Sequence, residues 1–94
     1  MVDLVVTRHK TLVEYLKNNN IISKDCEVIE HASAENVKDK DVIGVLPHSL
    51  SCLTNTFTEI VLNIPFEKRG MELTLEEIEK YILSIKKYKV KEIK

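Results

Sequence analysis

The sequence predicts a small α/β domain built on a parallel sheet, and three observations predict it. β-rich apolar runs alternate with segments of helical or turn character along the whole chain. The run Asp41-Val42-Ile43-Gly44-Val45-Leu46 is continuously apolar after its first residue, the mark of a strand covered on both faces. With 94 residues, 44% of them apolar, and only two Gly and two Pro, there is room for one core and little else, so residues 1–94 read as a single domain.

The β-rich run at 2–6 opens the chain as the first strand. Thr11-Leu12-Val13-Glu14-Tyr15-Leu16-Lys17 follows, with apolar residues at 12, 13 and 16 on one face of a helix. Asn18-Asn19-Asn20 closes that helix, because Asn tolerates the left-handed cap. Cys26-Glu27-Val28-Ile29-Glu30 is a short second strand, and Ala32 to Val37 is a single helical turn or a loop. Asp41–Leu46 is the third strand, and Pro47 suits the first turn of a helix running through about Asn55. Thr58–Ile64 is the fourth strand. The last long helix opens at Thr74 with Glu77 as its capping box, and carries Leu75, Ile78, Ile82 and Ile85 at helical spacing. It ends in the lysine-rich tail Lys86-Lys87-Tyr88-Lys89-Val90-Lys91, which reads as a frayed, solvated end. The order β-α-β-β-α-β-α with right-handed crossovers gives a small Rossmann-like parallel sheet of about four strands flanked by helices.

Charge and cysteine usage exclude several functions. Fourteen basic and fifteen acidic residues, a net charge of -1, argue against a general DNA or RNA coat, so any anionic ligand must be met by a local cluster. Cys26 and Cys52 form no Cys-x-x-Cys pattern and read as reduced, mostly buried thiols. The first residues hold no charged leader and no spanning stretch, which leads to the expectation of a cytoplasmic protein that meets no membrane. A domain this small leaves much surface exposed, which leads to the expectation of a homodimer.

Parallel strands deliver their C-terminal ends to one edge of the sheet, where ligands of open α/β sheets bind. Strand one ends there in Thr7-Arg8-His9, strand three in Pro47-His48-Ser49, and strand four in Asn63 followed by the Phe66-Glu67-Lys68-Arg69-Gly70 loop. Arg brings a planar fork suited to phosphate oxygens, and His moves protons near neutral pH. Helix N-termini after strands one and three would add amide donors. Plainer readings stand beside these. His48 and Ser49 also read as helix caps, Arg69 as a solvated loop charge, and His31 as a lone surface imidazole. His9, His31 and His48 have none of the short spacings typical of metal sites, so no metal is expected.

Three segments carry a resemblance: Val5-Val6-Thr7-Arg8-His9, Asp41 to Pro47, and Pro65 to Leu75 with Arg69-Gly70-Met71-Glu72-Leu73. Together, in this order and over nearly the whole chain, they resemble a small CRISPR-associated accessory family found beside type III interference loci. The resemblance implies a Rossmann-like fold related to CRISPR-associated ligand-sensing domains. It implies a role in cyclic oligoadenylate signalling, as a ring nuclease that linearises cyclic tetra-adenylate and switches the antiviral response off. Thr7, Arg8 and His9 match the strand-one motif, Pro47 the Leu-Pro turn, and Arg69, Gly70, Glu72 and Leu73 the later motif. Two departures are visible. Lys10-Thr11 stands where relatives tend to carry a Pro-Gly-like pair, which adds a cation, and His48 precedes Ser49 where the family tends to place its His one residue later.

The chemistry so implied suits the residues present, because an RNA phosphodiester carries its own nucleophile in the adjacent 2′-hydroxyl and requires no cofactor. Arg8 and His9 are the expected catalytic pair, with Thr7, Lys10, His48, Ser49 and Arg69 as ligand-binding residues. The expected partner is the cyclic oligoadenylate itself, held across a two-fold dimer. A non-catalytic sensor or sponge for the same ligand is the alternative. A histidine-phosphatase reading of Arg8-His9-Lys10-Thr11 is set aside, since that enzyme class needs a larger domain and a second His, and Lys10 replaces its glycine.

Overall fold

Leu4, Val5 and Val6 are all buried, and their alternation across the pleat divides the core in two. The computed structural model describes residues 1–94. Strand β1 (Leu4–Val6) lies between β2 (Glu27–Ile29) and β3 (Asp41–Gly44), and the sheet continues through β4 (Thr56–Leu62) to β5 (Ile82–Tyr88). The order is β2-β1-β3-β4-β5, with every pair parallel except β4–β5.

Val5, Ile43 and Ile60 pack on one face with Leu12 and Leu16 of α1 (Lys10–Asn18) and Ile78 of α4 (Leu75–Tyr81). Leu4, Val6, Val42 and Phe57 pack on the other face with Val37 of α2 (Ala34–Val37) and Leu50 of α3 (His48–Ser51). The result is a three-layer, roughly Rossmann-like α/β sandwich, as the apolar runs predict. The Asn closure of α1 is also as expected: Asn20 takes the left-handed conformation at φ 57°.

One open expectation is settled and two are corrected. Of the two forms expected for 32–37 it takes the helical turn, α2, where Ser33 donates its amide to Asn36 Oδ1 at 2.8 Å and the Asn36 amide donates to the Ser33 carbonyl at 3.1 Å, and it supplies the crossover between β2 and β3. The helix after Pro47 stops at Ser51, well before Asn55, and Thr54 closes the turn by donating to the Ser51 carbonyl at 2.6 Å.

The second correction is the larger. The final helix ends at Tyr81, and the chain turns directly into β5, an antiparallel fifth strand. Ile82 and Ile85 therefore belong to a strand, although their spacing matches a helix face. The register explains how: Leu62 pairs with Ile82 and Val61 with Ser84, so Leu83 is an extra residue in a bulge. The bulge resets the alternation and lets Ile82 and Ile85, an odd number of positions apart, both pack on the cluster around Ile60. Part of the lysine-rich tail, Lys86 and Lys87, is thereby paired strand and not frayed end.

Candidate functional site

The chain leaves β1 for β2 on one side and returns past β1 to β3 on the other, so the sheet reverses direction between β1 and β3. Loops diverge at such a point and leave a crevice beyond the strand ends. Here the crevice is about 210 Å³ and is lined by Val6, Thr7, Arg8, His9, Glu30 and Val45. A second cleft of about 350 Å³ lies on the α1 side, lined by Arg8, His9, Lys10 and Thr11 and by Gly70, Met71, Glu72 and Leu73. Arg8 and His9 border both.

Thr7 sets this turn. It is buried, and its Oγ1 accepts the His9 amide at 3.1 Å, an i to i+2 turn that leaves Arg8 exposed at its apex. His9 then occupies the cap position of α1 with extended backbone, and its imidazole makes no capping bond. The first amides of α1 lack intrahelical acceptors and lie beside the cleft. Across it, Thr11 Oγ1 donates to the Leu73 carbonyl at 2.7 Å and fixes the 70–73 segment against α1.

The predicted site residues divide into three sets. Thr7, Arg8, His9 and Lys10 are together at the β1 edge. His48 and Ser49 instead line a separate cleft of about 620 Å³ with Cys52, Leu53 and Val90 to Ile93 of the C-terminal segment. Lys89 holds that segment in place by donating to the Asn55 carbonyl at 2.9 Å. Arg69 neighbours Gly70 but turns its Nε to the Ile64 carbonyl at 3.3 Å. Lys68 donates to Glu77 in an ion pair, and that bond holds the Lys68 ammonium above its ordinary pKa and the Glu77 carboxyl below its own. No three His, Cys, Asp or Glu side chains gather anywhere in the fold, and His9, His31 and His48 do not converge.

His31 is the residue that sequence reasoning undervalued. Its Nε2 lies 3.1 Å from Arg8 Nη2. The signal was available in the strand register: Leu4 pairs with Glu27 and Val6 with Ile29, and the same offset of 23 carries Arg8 opposite His31. Glu30 and Glu72 also border the site and bring carboxylates to an otherwise cationic edge.

The family model described as "Putative CRISPR-associated protein (Cas_VVA1548)" matches residues 4–91. The chain belongs to this CRISPR-associated family. The match begins with the first residue of β1 and extends past the end of β5, so it takes in the Arg8-His9 turn, the β3 end and the 65–75 segment alike. No curated protein and no solved structure matches the chain significantly. No helix is long and apolar enough to cross a membrane.

Proposed function

We propose that this CRISPR-associated protein is a metal-independent ring nuclease that linearises cyclic oligoadenylate, with cyclic tetra-adenylate as the first substrate to test. The reading rests on one observation: in a family tied to CRISPR defence, the two clefts at the sheet edge share Arg8 and His9, a phosphate-binding fork beside a proton carrier. In the reaction, a ribose 2′-oxygen attacks the adjacent phosphorus as its proton passes to a base. The phosphorus–5′-oxygen bond breaks, and the leaving oxygen takes up a proton. The products are linear oligoadenylates with a 2′,3′-cyclic phosphate and a free 5′-hydroxyl. Arg8 and the first amides of α1 would stabilise charge on the equatorial oxygens, with Lys10 at the cleft wall. His9 would act as base on the 2′-hydroxyl or as acid on the 5′-oxygen, assistance worth about 10²–10⁴-fold. A two-fold dimer would offer the same pair to opposite halves of the ring and make two cuts.

A second reading, a sensor or sponge that binds the ring without cutting it, draws on a specific feature. No hydrogen bond orients the His9 ring, whereas catalytic bases are commonly held by a third group. Cyclic tetra-adenylate incubated with the protein in excess EDTA, alongside Arg8→Ala and His9→Ala, separates the two. Linear product lost in both variants, with binding retained by His9→Ala, supports the nuclease. Ligand that stays intact while comigrating with the protein leaves the sensor.

A further inference from the structure

Arg8 and His31 meet because the sheet puts them there. β1 and β2 are parallel neighbours, Thr7 continues their ladder by donating its amide to the Ile29 carbonyl at 3.0 Å, and one step beyond the Thr7–Glu30 position the same register brings Arg8 opposite His31. Both residues are exposed, and Arg8 and the neighbour of His31, Glu30, line the crevice. A guanidinium only donates hydrogen bonds, so Nε2 of His31 must accept, which requires a neutral ring with its proton on Nδ1. Protonating that ring removes the acceptor and sets two cations side by side. An anion arriving at Arg8 reverses the preference, because it takes the place of Nε2 as the acceptor and favours a charged imidazole beside it.

We propose that His31 is a third residue of the anion site, one that exchanges partners on ligand binding. Neutral, it holds the Arg8 fork at the β2 end of the crevice; protonated, it releases Arg8 and donates from the same Nε2 to the bound oxyanion. Resting on the reading of this edge as a phosphate site, the inference couples ligand binding to uptake of one proton at His31. The charged groups around the pair are Arg8 and His9 from the β1–α1 turn and Glu30 from the end of β2, with Glu35 in the first turn of α2 next along the chain. His31 is a positioning residue for Arg8 in the free protein and a direct contact in the bound one.

Two measurements test this without cleavage. Long-range proton–nitrogen correlation spectra of the ligand-free protein should show His31 as the Nδ1–H tautomer at alkaline pH, a preference lost in Arg8→Ala. Titration with sulfate, whose charge is constant between about pH 5.5 and 8.5, should give affinity roughly tenfold weaker at the alkaline end for the wild type. His31→Gln should flatten most of that dependence while leaving Arg8 and His9 in place. An Nε2–H tautomer, a pH profile unchanged in His31→Gln, or no sulfate-linked change in the His31 resonances would each overturn the proposal. The ring-nuclease reading stands or falls separately, on conversion of cyclic tetra-adenylate.

Discussion

Gly44, the last residue of β3, lies so close to Val6 of β1 that a Cβ at position 44 would stand 2.0 Å from the Val6 carbonyl oxygen. Its φ of +138° is also closed to L side chains. The close approach is immediately followed by the bond from the Val45 amide to the same Val6 oxygen at 3.0 Å, so the two central strands are clamped where the crevice opens.

Gly44→Ala is therefore expected to cost at least about 2 kcal/mol, read from urea denaturation, because both backbone and contact must shift. Gly70 provides the comparison. It has φ +81° but open space around its Cα, so Gly70→Ala should carry only the conformational penalty, about 1 kcal/mol. Equal costs for the two variants would contradict the steric account.

The Thr11–Leu73 bond joins residues 62 positions apart and holds one wall of the larger cleft. Thr11→Val keeps the shape and removes the donor. A loss of about 1 kcal/mol in stability is expected, together with faster amide exchange confined to residues 70–73. Unchanged exchange there would show that the segment is held by the burial of Leu73 alone.

Acid should weaken the α4 end of the fold through Glu77. The bond from Lys68, then that from the Thr74 amide, lowers its pKa below the ordinary 4.5. A depressed carboxylate binds its proton more weakly in the folded state than in the unfolded one. Its contribution is thus complete above the unfolded value and disappears as pH falls through the folded one. Asp41, lowered by bonds from Thr56 and Asn55, has the same sign. Urea midpoints of wild type and Glu77→Gln should differ at neutral pH and converge in acid, with the gap narrowing in high salt. A gap that persists in acid would point to the capping geometry of Thr74 instead of the charge.

Arg8→Lys retains a cation but not the fork, and it cannot reproduce both the contact to His31 and a bidentate phosphate contact. Under the proposed ring-nuclease function, cleavage of cyclic tetra-adenylate should fall by about tenfold or more in kcat/KM. Wild-type rates in this variant would mean that charge alone suffices at position 8.

By itself the sequence determined what is local. A β-rich run marked β1, a continuous apolar run marked β3, and the run read as 58–64 marked β4 two residues late; Asn20 marked the end of α1, and the Thr74–Glu77 pair marked the start of α4. Arg8 and His9 were legible as a candidate site because they are consecutive and follow a strand. Tertiary structure decided the rest, because register and strand order are relations between distant segments. The bulge at Leu83 turned a helical-looking isoleucine spacing into an edge strand, a choice made by pairing with β4 and invisible in the spacing itself. The β1–β2 register delivered His31 to Arg8, while the C-terminal segment, drawn onto Asn55 by Lys89, took His48 and Ser49 into a different cleft. A side chain's type names the chemistry it can perform, but only the packing of the strands chooses which side chains perform it together.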